Sequence, residues 1–187
     1  MTKENTKSYL DKLYYDVDKQ RVNLLLCSAY VDKDGVPKFS KWNNYLDCGE
    51  LWINTKANNR TILPSEIVLD VEEPERYPEI IEQVKKDFEF FSPYSTGSKG
   101  FHIHLWFKED LSSDEKKTLI SKYKTDIQKS SDKCMIALEN CPHWKTGNPK
   151  TLIQEDYKEG FNDVLFVKEL MKQKQEEEKN LEELNKT

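Results

Sequence analysis

The sequence predicts an α+β domain in which a sheet is covered by helices on one side. Three observations lead there. Extended, β-rich runs at Val22 to Val31, Ile67 to Glu72 and Gly100 to Phe107 alternate with runs of helical spacing, as in Pro78 to Phe91. A length of 187 residues suits one core domain with short appendages. Four Trp, nine Tyr and eight Phe provide the large side chains such a core needs.

In chain order, Leu10, Leu13, Tyr14 and Val17 follow Ser8 at i, i+3, i+4 and i+7, which predicts an amphipathic helix over 8 to 18, in an N-terminal segment of 1 to 20 packed on the core. Val22 to Val31 ends in Asp32-Lys33-Asp34-Gly35, a turn sequence, and Val36 to Phe39 reads as the returning strand of a hairpin. Ile67 to Glu72 is a strand. Ile80, Ile81, Val84 and Phe88 then line one face of a helix, and Gly100 to Phe107 returns as a strand. Ser113 is the expected cap of a charged helix with Leu119, Ile120 and Tyr123 turned inward, and Cys134 to Leu138 is a short apolar strand. Gly160 and Asn162 open the last helix, carrying Phe161, Val164, Leu165 and Met171. The main domain is therefore expected over 21 to 171, and 172 to 187 as a charged, solvated helical extension or tail.

Charge argues against an indiscriminate nucleic-acid binder. The net charge is −5, whereas phosphate contacts favour a basic surface. The distribution is uneven: 111 to 151 holds eight Lys and five acids, and 152 to 187 holds six Lys and ten acids. No stretch approaches the roughly 20 apolar residues of a membrane span, and the N-terminus is polar, so a soluble, intracellular (cytoplasmic) protein without membrane contact is expected. Cys27, Cys48, Cys134 and Cys141 form no C-x-x-C pair and read as buried thiols. A zinc site from Cys134, Cys141 and His143 would have a spacing outside the common patterns.

The chemistry is concentrated on two strands. Period two sends Ile67, Leu69 and Val71 to one face and Asp70 and Glu72 to the other. Two neighbouring carboxylates repel unless a cation lies between them, so an acid-x-acid pair at a strand end suits a hard metal, Mg²⁺ or Mn²⁺. Thr96-Gly97-Ser98-Lys99-Gly100 then leads into a strand that presents His102 and His104 on one face. Small residues let backbone N–H groups approach phosphate, and Lys99, His102 and His104 add donors. The simpler reading of each element is an exposed edge of acids, a plain turn, and histidines satisfied in a polar layer.

Together these residues resemble the archaeo-eukaryotic primase superfamily, closest to the small catalytic subunit of archaeal DNA primase and to primase-polymerase domains. Asp70-Val71-Glu72 resembles that family's acid-x-acid metal motif. Thr96-Gly97-Ser98-Lys99-Gly100-Phe101-His102 resembles its S-G-x-x-G-x-H motif, with Thr96 in place of serine, and His143-Trp144-Lys145-Thr146-Gly147 resembles its H-G-K-T-G segment. The family's D-x-x-V-T-x-D pattern is matched more loosely by Asp126 to Asp132, where Lys129 and Ser130 replace valine and threonine; Asp126 is the expected third acid, with Asp132 and Glu139 as alternatives. Glu139 also lies near where the family has an arginine.

The resemblance spans roughly 21 to 153. It implies a primase-type core with an RRM-like antiparallel or mixed sheet flanked by helices, and template-dependent nucleotide polymerisation with two metal ions held by Asp70, Glu72 and Asp126. It implies nucleotide contacts from Thr96, Ser98, Lys99, His102, His104, His143 and Lys145, with Arg60 and Lys150 as weaker candidates. The expected partners are nucleoside triphosphates, a single-stranded DNA template, and a large primase subunit or other replication protein. Two rivals stand beside it. His102-Ile103-His104 also resembles the His-hydrophobic-His strand of replication-initiator nicking endonucleases, with Tyr123 as nucleophile; the second is a non-catalytic primase accessory subunit, against which the retained acids count.

Overall fold

The computed structural model describes residues 11–12, 21–31, 37–44, 58–131, 134–143 and 145–186. Of the expected helix at 8 to 18, Asp11 and Lys12 are helical and the rest lies outside the described residues, as does the turn at 32 to 35.

The described chain forms two four-stranded antiparallel sheets flanked by helices. Strands β1 (Asn23–Val31) and β2 (Pro37–Asn44) make the expected hairpin, and β1 continues into β3 (Asn58–Thr61) and β7 (Met135–Ala137) in the order β2-β1-β3-β7. The second sheet has the order β4-β6-β5-β8, from β4 (Glu66–Val71), β5 (Ser92–Ser95), β6 (Phe101–Trp106) and β8 (Thr151–Leu152).

The alternation of β4 decides what each face does. Ile67, Leu69 and Val71 join Ile103 and Leu105 of β6 under helices α1 (Tyr77–Asp87), α2 (Ser113–Lys122) and α3 (Leu165–Asn185), which contribute Ile80, Ile81, Val84, Leu119, Ile120 and Val167 to the main core. Burial of that apolar face is the principal driving force for docking the helices. The opposite face is covered by the first sheet, where Val68 packs against Ile62 and Ile136. Glu66, Asp70, His102 and His104 therefore lie between layers or at their mouth, not on an open sheet surface.

Three boundaries differ from expectation. The first helix ends at Asp87, and Ser92-Pro93-Tyr94-Ser95 is a strand, because the extended Phe88 turns the chain back to pair with β6. The cap of α2 is Ser112, not Ser113: Ser112 Oγ accepts from the Glu115 N–H (3.1 Å) while the Glu115 carboxylate accepts from the Ser112 N–H (3.0 Å). The last helix starts at Leu165, since Asn162 is occupied in holding both backbone groups of Phe90 at 3.0 and 2.8 Å. The charged extension is helical to Asn185, with Leu181 and Leu184 exposed. No described helix is long and apolar enough to cross a membrane.

Candidate metal centre

Three carboxylates converge from separate pieces of chain. Asp70 is the last outward residue of β4, Glu72 lies one residue past the strand, and Asp126 stands at the N-terminus of the short 3₁₀ helix Ile127–Ser130. One oxygen from each lies within 4.8 Å of the others, and among the described residues this is the one cluster of three or more metal-ligating side chains. Asp126 is oriented by its own cap: Oδ1 accepts from the Gln128 N–H at 3.0 Å. The acids line an open cleft of about 420 Å³ whose walls also include Arg76, Lys124 and Thr125. Burial raises the Asp70 carboxyl above its ordinary value; the Lys129 ammonium lowers it, and Glu72 and Asp126 raise it further. Lys129 Nζ stands 4.0 Å from Asp70 Oδ2.

An all-oxygen set of three carboxylates fits a hard divalent cation such as Mg²⁺ or Mn²⁺. Two neighbouring polar atoms support that fit: His102 Nδ1 and Thr125 Oγ1 are buried and have no hydrogen-bond partner. His102 pairs directly across from Asp70, with Nε2 3.6 Å from Oδ1. Burial, followed by the charge of Lys150, holds its pKa well below the ordinary value, so its imidazole is neutral at pH 7.

The glycine loop abuts the same end of the sheet. A Cβ on Gly100 would lie 2.7 Å from the Val71 carbonyl oxygen and 3.5 Å from Glu72 Cα, so only glycine lets β6 begin this close to the acids. Thr96 closes the loop, donating through its N–H and Oγ1 to the Gly100 carbonyl, both at 3.1 Å, and leaving Ser98 and Lys99 exposed. The segment after His143 docks on this loop. Thr146 Oγ1 (2.6 Å) and Asn148 Nδ2 (3.3 Å) donate to the Gly97 carbonyl, and a Cβ on Gly97, whose φ is +82°, would sit 2.3 Å from the Asn148 carbonyl oxygen. His143 accepts from the Lys145 N–H at 3.1 Å; burial and the Lys145 charge lower its pKa. Lys145 is exposed.

Other candidates lie elsewhere. His104 is 1% exposed and inside a buried charge cluster with Arg60, Glu66, Glu139 and Lys150. Arg60 donates to Glu66 at 2.8 and 2.7 Å and to Glu139 at 3.1 and 2.6 Å. Lys150 Nζ is 2.9 Å from His104 Nε2; an ammonium only donates, so Nε2 accepts and Nδ1–H donates to Glu66 at 2.6 Å. Of the alternative third acids, Glu139 is buried here and Asp132 is outside the described residues. Cys134, Cys141 and His143 form no ligand cluster among the described residues. Tyr123 is 2% exposed, with its hydroxyl donating to Asp87 at 2.5 Å.

No family model matches the chain, and no curated protein matches its sequence. Solved structures do match. The archaeo-eukaryotic primase domain of the cyanophage S-2L primase-polymerase superposes with a TM-score of 0.63 at 10% identity, over 90% of this chain and 97% of that one. Primase RepB′ superposes with a TM-score of 0.61 at 10% identity, over 97% of this chain and 67% of that one. The chain has the archaeo-eukaryotic primase fold. Within that fold the acid strand, the glycine loop and the turn carrying Asp126 meet at one end of the second sheet. The cleft-lining Arg76, Lys124, Thr125 and Gln128 carry no local signal in the sequence, and Lys129, one helical turn past Asp126 and 4.0 Å from Asp70, stands there only as a departure from a motif.

Proposed function

We propose that this domain is a template-dependent nucleotidyltransferase, a DNA primase or primase-polymerase catalytic domain, acting inside the cell with nucleoside triphosphates on single-stranded DNA. The observation that carries the reading is the convergence of Asp70, Glu72 and Asp126 beside the glycine loop. These acids would hold two divalent ions, Mg²⁺ or Mn²⁺, which when bound activate the attacking 3′-hydroxyl and neutralise charge on the triphosphate. The chain's own contribution is positioning. Neutral His102, whose Nε2 lies 3.6 Å from Asp70 Oδ1 on the facing strand, would contact the nucleotide beside that acid. The exposed Ser98 and Lys99, the Thr96 turn, His143 and Lys145 form a latched pair of loops with donors for phosphate oxygens. His104, walled off by Glu66 and Lys150, supports the strand behind His102 without reaching the nucleotide. With net charge −5, template affinity is expected to depend on a large primase subunit or another replication protein.

The nicking alternative asks Tyr123 to attack a phosphodiester, yet its hydroxyl is committed to Asp87 inside the main core. A non-catalytic accessory role would leave an uncompensated acid cluster in the cleft. The test is primer extension on a single-stranded template with Mg²⁺ or Mn²⁺. Wild type should incorporate nucleotides, and Asp70→Ala or Glu72→Ala should lower the rate on the order of a thousandfold. Undiminished incorporation by Asp70→Ala would contradict the assignment, and strand cleavage lost in Tyr123→Phe would replace it.

A further inference from the structure

Helix α2 ends in an unusual way. Lys124 adopts φ 55°, the left-handed region that favours glycine. Its N–H donates to the Ser121 carbonyl at 3.2 Å, and the Thr125 N–H donates to the Ile120 carbonyl at 3.5 Å, closing the paired 5→2 and 6→1 bonds of a left-handed helix stop. This turn sends the chain into Thr125 and Asp126, so its geometry fixes where the third carboxylate sits. The carbonyls left over at the stop, those of Tyr123 and Lys124, are taken by one side chain: Arg76 Nη2 donates to Tyr123 and Nη1 to Lys124, both at 3.0 Å. Arg76 Nη1 also donates to Glu73 at 3.0 Å. Arg76 ends the turn Pro74–Arg76 directly behind Asp70, Glu72 and Glu73. A single planar guanidinium thus ties the two segments that bring the acids together, although 47 and 48 residues separate its carbonyl partners from it in sequence.

We infer that Arg76 is a positioning residue for the cation site: it sets the spacing between Glu72 and Asp126 by clamping the α2 stop to the loop after β4, without itself contacting cation or nucleotide. This rests on the metal reading proposed above. A guanidinium suits the task because its fixed fork donates to two successive carbonyls and a carboxylate at once, whereas a lysine ammonium is a single point at the end of a flexible stem. By pairing with Glu73, Arg76 also leaves the other acids to the cation.

The test uses the full chain and Mn²⁺ alone, with free Mn²⁺ followed by electron paramagnetic resonance, on wild type, Asp70→Asn, Arg76→Met, Arg76→Lys and the double variant Arg76→Met/Lys124→Gly. Arg76→Met should weaken Mn²⁺ binding about tenfold or more, the scale of losing a residue that orients ligands, and Arg76→Lys should recover only part of it. Lys124→Gly should restore thermal stability to Arg76→Met but leave Mn²⁺ binding weak. In the metal-free protein, amide exchange at 125 to 128 should accelerate in Arg76→Met while that of Ile67 to Asp70 is unchanged. Mn²⁺ affinity within twofold of wild type in Arg76→Met would overturn the inference. Acceleration of exchange across the whole domain would overturn it too, reducing Arg76 to general stability. Equal Mn²⁺ binding by wild type and Asp70→Asn would instead remove the metal reading, and this inference with it.

Discussion

Two charge clusters share one face of the same pair of strands, and they are built oppositely. On β4, Glu66 and Asp70 point the same way, as do His104 and His102 on β6, where Asp70 faces His102 across the ladder. At the Glu66 end every charge has an internal partner: Arg60 bridges Glu66 and Glu139, and His104 is held between Glu66 and Lys150. At the Asp70 end three carboxylates face an open cleft with the Lys129 ammonium 4.0 Å from Asp70, and His102 Nδ1 is left without a partner. Four residues along one strand separate a closed network from a set of groups that a cation would complete. Charge satisfied inside the protein stabilises a particular packing; charge left incomplete at a cleft is available to a ligand.

The largest effect should come from opening the closed cluster. Arg60→Met leaves Glu66 and Glu139, both 0% exposed, without their common cation, and should cost about 3–5 kcal/mol in urea denaturation. A cost under about 1 kcal/mol would mean that the network contributes little.

Acidification should act on the same cluster next. Burial and the Lys150 charge lower His104 from 6.5 to about 4, so its neutral form contributes stability that is present above pH 6.5 and lost as pH falls toward 4. In this window the unfolded chain takes up a proton that the folded histidine refuses, which amounts to about 3 kcal/mol when complete. Glu139, held at about 2 by Arg60 and Lys150 against the opposing effect of burial, adds its own loss only at lower pH. Unfolding free energies measured at pH 7, 6, 5 and 4 should fall steadily; a flat profile would contradict the neutral buried histidine.

On the open side, His143→Ala or Lys145→Ala should weaken nucleotide binding by about 1.5–3 kcal/mol in calorimetry, with little change in unfolding. Unchanged affinity in both would detach the His143 segment from the nucleotide.

The open cluster was far more legible in the sequence than the closed one. Asp70-Val71-Glu72 and the Thr96 to Gly100 loop are contiguous, and period two together with glycine already places their side chains. Asp126 was reachable only through a loose spacing match, because what delivers it is a helix stop with lysine, not glycine, in the left-handed position, held by an arginine from another segment. The closed cluster was opaque. Arg60 lies in the polar run Asn58-Asn59-Arg60-Thr61 and Lys150 in a loop, where a cation ordinarily reads as solvated, and only tertiary pairing makes these two buried. His104 shares a strand face with His102 in the sequence, but only tertiary packing encloses His104 between Glu66 and Lys150 while His102 stands across from Asp70. Strand β5, just past the expected helix end at Phe91, gives no sequence signal, since Ser92-Pro93-Tyr94-Ser95 has neither length nor alternation of its own.

The Asp70 cluster, if complete only with a divalent cation, should show it in thermal unfolding of wild type and Asp70→Asn with and without Mn²⁺. Burial and neighbouring acids raise the Asp70 pKa, so its ionised form opposes folding when no cation is present. Without metal, Asp70→Asn should therefore be the more stable protein, by on the order of 1 kcal/mol. With saturating Mn²⁺ the order should invert, wild type gaining about 2–3 kcal/mol at a hundredfold excess over the dissociation constant while the variant is unmoved. Equal Mn²⁺-induced shifts in both proteins would mean that Asp70 does not hold the cation.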